Sequence, residues 1–180
     1  MIRPASPDPA GVALRHPDER DHETLVRVVD EWFAGRRVRH LLSRAWFRHA
    51  ASTSWLAEDP TSRPIGFVVG QRSQDREGES VIHLLAVQPG HRRRGVGRMM
   101  VERFVEEARP AAPRPGSSVG PRVTAVAWPD DPIALAFFRS VGFVHEAGPG
   151  SQPLYGVPAW PDYEGPGEDR VVLVRRSGSV

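Results

Sequence analysis

The chain has 180 residues, with 24 basic and 22 acidic side chains, a formal net charge of +2 and no cysteine. That length suits one domain with one sizeable core, within the usual range of about 100–200 residues. The missing thiols exclude disulfides, thiolate metal ligands and a cysteine nucleophile; no His-x-x-x-His pair occurs either, so no metal is expected.

Every basic residue is an arginine, and the acidic residues are dispersed among them, so the basic stripe of a nucleic-acid binder is not expected. No apolar run approaches the roughly 18 residues of a membrane span, and the Pro-rich start lacks the apolar core of a signal peptide. The expected location is the cytoplasm. In chain order, hydrophobic periodicity and turn residues predict a strand at 12–15, a helix at about 21–33, and a second helical region at about 38–50. Strands follow at 54–58 and 65–71, then a polar loop at 72–80 and an apolar strand at 81–87 leading into a helix. Beyond these come a strand at 122–128, a helix at 132–141, a short strand at 143–146 and a last strand at 170–175. Residues 109–121, rich in Pro, Gly and Ser, read as a flexible loop and not as a domain boundary, and the tails 1–11 and 176–180 are expected to be flexible. The order β-α-α-β-β-β-α-β-α-β-β predicts a single α/β domain over 1–180: a mixed, mostly antiparallel central sheet flanked by helices.

The densest chemical signal is His91-Arg92-Arg93-Arg94-Gly95-Val96-Gly97-Arg98. It follows Val81-Ile82-His83-Leu84-Leu85-Ala86-Val87 and the turn Gln88-Pro89-Gly90, and it precedes Val101, Phe104, Val105 and Ala108 at helical spacing. The basic turn therefore opens a helix. The first N–H groups of a helix carry partial positive charge and lack intrahelical acceptors, so three arginines there oppose the dipole until an anion is held. Gly95 and Gly97 let backbone N–H groups approach phosphate oxygens, while arginines add charge-assisted bonds from outside. A pyrophosphate cradle is the expected use. Met100 stands where a dinucleotide fingerprint needs its third glycine, and the Gly-Lys-Ser/Thr of a P-loop is absent.

Arg92-Arg93-Arg94-Gly95-Val96-Gly97 resembles the Arg/Gln-x-x-Gly-x-Gly/Ala signature of the GNAT superfamily of acyl-CoA N-acyltransferases. Ile65-Gly66-Phe67-Val68-Val69-Gly70 is similar to the family strand that precedes the signature strand, and 131–143 is similar to its Asn-x-x-Ala…Tyr-x-x-x-Gly-Phe segment. The resemblance implies the GNAT-like fold and acetyl-CoA as acyl donor. It places cofactor contacts at Leu85, Ala86 and Val87, at Arg92, Arg93, Arg94, Gly95, Val96, Gly97 and Arg98, and at Asp131 and Phe138. Two of these depart from the family pattern: Phe138 replaces the tyrosine that serves as acid, and Asp131 replaces an asparagine. Asp131 also suits a helix N-cap, Pro132 a first turn, and Gly142 a left-handed helix end.

Acetyl transfer from a thioester to an amine needs a neutral amine, a donor to the developing oxyanion, and a proton for the thiolate. An N–H at or near Val87 is the oxyanion candidate. His83 shares strand parity with Leu85 and Val87, and the resemblance places it where histone-acetylating members carry a glutamate base; a buried histidine bonded to the backbone is the other reading. Phe138 cannot donate a proton, so Tyr155 or Tyr163 from the C-terminal loop, or water, must do so. That loop, 154–169, is proline-stiffened, aromatic and acidic, which suits a lid for a cationic amine as well as a plain connection. The expected activity is acetylation of a primary amine of a small molecule. A silent acyl-CoA-binding or regulatory module and a protein lysine or N-terminal acetyltransferase are the alternatives, and a homodimer stays open.

Overall fold

The computed structural model describes residues 11–108 and 121–176, so the tails and the 109–121 loop expected to be flexible lie largely outside the described residues. The strands are β1 (Ala13–Arg15), β2 (Trp55–Glu58), β3 (Pro64–Arg72), β4 (Glu79–Val87), β5 (Arg122–Ala127), β6 (Val144–His145), β7 (Gln152–Leu154), β8 (Val157–Ala159) and β9 (Val171–Arg176). The helices are α1 (Glu19–Trp32), α2 (Arg44–His49), α3 (Val96–Ala108) and α4 (Pro132–Ser140). A seven-stranded sheet has the order β1-β2-β3-β4-β5-β9-β6, and β7-β8 form a separate pair. Its β4–β5 pair is parallel, whereas β1–β2, β2–β3, β5–β9 and β6–β9 are antiparallel, giving the mixed, mostly antiparallel sheet expected. Among the described residues no helix is long and apolar enough to cross a membrane.

The chain divides into two compact units: the residues up to Gln71 with Leu84–Glu107, and Arg72–His83 with the residues from Ala108 on. In the first, α1 begins at a capping box, with Asp18 accepting from the Arg20 N–H at 2.7 Å and Asp21 accepting from the Asp18 N–H at 2.7 Å. This moves the start two residues ahead of the expected one. Leu25, Val29 and Trp32 then form one buried stripe. Helix α3 buries Val96, Met100, Val101, Phe104 and Val105. Gly66 of β3 lies against it: a Cβ there would come 2.9 Å from Met100 Cε, the movable end of a side chain, and 3.1 Å from the Ala86 carbonyl oxygen.

The expected helical region at 38–50 is a correction: only α2 is helical, and 38–42 forms isolated turns, Leu41 N–H bonding the Val38 carbonyl at 2.9 Å. The Asp30 carboxylate accepts from the Val38 and Arg39 N–H groups at 2.8 and 2.9 Å, which competes with helix propagation, and Ser43 then caps a fresh start.

In the second unit β5 and β9 pair over six residues, Arg122↔Arg176 to Ala127↔Val171. Leu135, Phe138, Val141 and Phe143 are buried, as are the apolar residues of these strands. Helix α4 ends as expected at left-handed Gly142 (φ 89°), with Gly142 N–H to the Arg139 carbonyl and Phe143 N–H to the Phe138 carbonyl, a Schellman closure. The C-terminal loop holds a hairpin that the sequence reading left out. β7 and β8 meet at Tyr155 and Gly156, both left-handed, as a two-residue type I′ turn requires.

Candidate active site

The signature run sits where β4 passes into α3, after a single helical turn at Pro89–His91. Arg93 (φ 62°) and Gly95 (φ 88°) are both left-handed, and this tight path brings the chain to Val96 as the first helical residue. The N–H groups of Val96, Gly97 and Arg98 begin the helix, and its first turn carries no acidic side chain to neutralise them. An anion of pyrophosphate type fits this end. Arg93 and Arg94 are exposed and Arg98 is half-buried, so their charges flank the turn.

Arg92 is used differently. Its Nε donates to the Val87 carbonyl at 3.0 Å, and an NH2 nitrogen donates to the Trp32 carbonyl. Helix α1 has no basic residue in its last turn, so Arg92 supplies that charge while bracing the end of β4. Beneath the turn, Asp59, Ile65, His91, Arg94 and Val96 line a cavity of about 260 Å³.

Along β4 the even-numbered residues Ser80, Ile82, Leu84 and Ala86 are buried, and Glu79, Val81, His83, Leu85 and Val87 occupy the half-buried face. The alternation places His83 on the same face as Leu85 and Val87, as its parity predicts. Pairing with β5 runs from Glu79↔Arg122 to Ile82↔Ala125, so the register ends before His83.

His83 faces the C-terminal loop. Its Nδ1 lies 4.0 Å from Glu164 Oε1, and both side chains are 19% exposed. The other Glu164 oxygen is 2.6 Å from an NH2 nitrogen of Arg170, which is buried to 1% exposure. Arg170 also pairs with Glu168 at 2.7 Å, donates to the Asp169 carbonyl at 2.8 Å, and stacks 4.3 Å above the Trp128 ring. A buried cation is thus held by two carboxylates, a carbonyl and an aromatic face. Sequence reasoning missed Glu164, Arg170 and Trp128 as a group; the acidity of the loop was its one visible sign.

The tyrosines differ in setting. Tyr155 stands at the hairpin tip, 78% exposed. Tyr163 is 48% exposed, and partial burial, reinforced by the Glu164 and Glu79 charges, pushes its phenol above the ordinary value, which makes it a weaker proton donor than a free tyrosine. Phe138 is packed edge-on between Phe137 and Phe143, with ring centroids at 5.5 and 5.2 Å. Asp131 Oδ1 accepts from the Ala134 N–H at 2.9 Å and caps α4.

The model of the Acetyltransferase (GNAT) family matches residues 21–143. The L-2,4-diaminobutyric acid acetyltransferase of Nocardia farcinica is 27% identical over 121 residues, 67% of this chain, and the match spans 58% of that relative's length. Among solved structures, Ard1 from Thermoplasma volcanium superposes with a TM-score of 0.69 at 19% identity, covering 94% of this chain and 100% of Ard1. YncA from Salmonella typhimurium, solved with its cofactor acetyl-CoA, has a TM-score of 0.63 at 17% identity, covering 95% of this chain and 96% of YncA. At these identities the two structures speak for the fold.

Proposed function

Because the chain belongs to the GNAT family of acetyltransferases, we propose that it is an acetyl-CoA-dependent N-acetyltransferase acting on a primary amine of a small molecule. The observation that carries this reading is the basic glycine turn at the unneutralised start of α3. Backbone N–H groups of Gly95 to Arg98 and the side chains of Arg93, Arg94 and Arg98 hold the pyrophosphate, and the Arg92 brace keeps the end of β4 beside them. The family match runs through residues of both compact units, which supports one catalytic domain. A relative named for a diamino acid supports a small amine as acceptor.

Acetyl-CoA supplies the acetyl thioester. Leu85 to Val87 offer backbone groups to its acyl arm, with the Val87 N–H directed to the developing oxyanion. His83 takes the proton from the acceptor ammonium. The proton reaches it through water. Tyr163, 48% exposed against 78% for Tyr155, is the acid candidate of this chain, since Phe138 has no proton to give. The buried Phe138 also favours a second reading, a domain that binds acyl-CoA without turnover.

Thiol release from acetyl-CoA across polyamines, amino acids, diamino acids, aminoglycosides and peptides decides between them. Release with a small amine supports the enzyme reading. Release with peptides alone moves the acceptor to proteins, and acetyl-CoA binding without release from any amine supports the silent module.

A further inference from the structure

We propose that Glu164 is a positioning residue for His83, its carboxylate fixed by the buried Arg170 so that the imidazole presents Nε2 to the proton it accepts. The inference rests on His83 acting as the base. Glu164 Oε1 lies 4.0 Å from His83 Nδ1, close enough to favour a hydrogen on that nitrogen through its charge. With Nδ1 protonated, the lone pair of the neutral ring is on Nε2. The ammonium N–H bond breaks toward a water molecule, that water passes a proton on to Nε2, and the electron pair stays on the amine nitrogen.

The carboxylate can do this because it is held at both levels. Its second oxygen meets Arg170 at 2.6 Å, and Arg170 is clamped by Glu168, the Asp169 carbonyl and the Trp128 face. The loop that carries Glu164 is closed at its base by Trp160 and Arg170, whose backbones exchange hydrogen bonds of 2.7 and 3.0 Å. Across the loop, Asp162 N–H donates to Asp169 Oδ1 at 2.9 Å, and Gly167 N–H donates to Asp162 Oδ1 at 2.6 Å. Little conformational entropy remains to be lost when the imidazole orients. The charges also balance in the right direction. Glu164 and Glu168 against Arg170 leave one net negative charge, which an imidazolium at His83 cancels. Glu79, four residues away on the same face of β4, adds negative charge but is engaged with Arg122 and Thr124.

A counter-ion to Arg170 with no bearing on catalysis would show the same ion pair, so the test reads His83 itself. Long-range proton–nitrogen NMR on the protein labelled with ¹⁵N-histidine, assigned by comparison with His83→Ala, reports the tautomer without turnover. The Nδ1–H form is expected to dominate in the wild type and to give way to Nε2–H in Glu164→Gln. An unchanged tautomer in that variant overturns the proposal. Kinetics with the most active amine of the panel give the second readout. Glu164→Gln should lower kcat about tenfold at unchanged acetyl-CoA affinity, and should cost nothing further in the His83→Ala background. An equal loss in that background overturns the proposal, whereas full turnover of His83→Ala alone overturns the base reading beneath it. If Glu164→Gln does not fold, Glu164→Asp, which keeps the charge but withdraws it by one methylene, decides: a partial shift toward Nε2–H supports the proposal and an unchanged tautomer sinks it.

Discussion

His83 and Tyr163 belong to the same compact unit and carry opposite halves of the proposed proton traffic. Replacing His83 by alanine removes an acceptor needed only as the amine loses its proton, so turnover should drop about 10²–10⁴-fold while acetyl-CoA binding by calorimetry stays within a factor of two or so. An unaltered kcat would leave His83 as a structural residue of β4. Tyr163→Phe removes only a hydroxyl, whose proton an ordinary phenol already keeps at neutral pH and which partial burial and the neighbouring carboxylates hold more tightly. In single-turnover experiments it should slow thiol release by about tenfold or more. Full activity there would assign thiolate departure to water, a feasible outcome because an alkyl thiol titrates near 8.5 and its thiolate leaves without much help. The Arg92 side chain teaches a different lesson. Its motif position pointed to phosphate, yet its nitrogens meet the carbonyls of Val87 and Trp32, a use that local sequence could not reveal because Trp32 is 60 residues away.

Helix α4 shows how an element can be read from its ends. Asp131, Pro132 and Gly142 announced a cap, a first turn and a left-handed stop, and the structure places each in that role. Asp131→Ala should therefore cost about 1 kcal/mol in denaturant unfolding, near the middle of the range for lost N-caps, and leave acetyl-CoA affinity unchanged. A large loss of affinity at constant stability would instead make Asp131 a cofactor contact. At the other end of the chain, Arg15 links β1 to the start of α1 through Asp21 at 2.7 and 2.8 Å. Burial alone would raise the Asp21 carboxyl, but hydrogen bonds from Arg15 and the Asp18 N–H, with the Arg15 charge, hold it below its ordinary value. Its stabilisation is thus complete above the usual carboxylate range and disappears as pH falls through the depressed value. Asp21→Asn should be less stable by about 1–2 kcal/mol at pH 7, the half-exposed guanidinium limiting the effect, and the gap between the two proteins should close as pH falls through the depressed value. Elements with local signals were legible; 38–42 and the β7–β8 hairpin were not. Asp30 diverts backbone donors across eight residues in the first case, and a non-glycine, Tyr155, occupies a left-handed turn position in the second.

At the scale of the molecule, what could be read in advance was what lies contiguous along the chain. The anion turn is eight consecutive residues, whereas the cluster around His83 assembles β4, the end of β5 and a loop more than 70 residues further on, with no spacing rule to connect them. The turn also makes a claim about the whole fold, because a ligand that binds only the native chain stabilises all of it. At a free acetyl-CoA concentration 100 times its Kd the added stability is about 2.7 kcal/mol. For a chain of this size that raises the unfolding midpoint by about 5–10 °C. Gly95 is left-handed at φ 88°, so valine there is strained as well as branched toward the helix start. Gly95→Val should unfold somewhat earlier than the wild type and show no rise with acetyl-CoA, and free pyrophosphate should compete with acetyl-CoA in the wild type only. The competition should weaken with added salt, since exposed arginines supply part of the attraction. A folded Gly95→Val protein that still gains the full 5–10 °C, in the same estimate of about 2.7 kcal/mol, would move the cofactor away from the start of α3 and take the proposed arrangement of donor, base and acid with it.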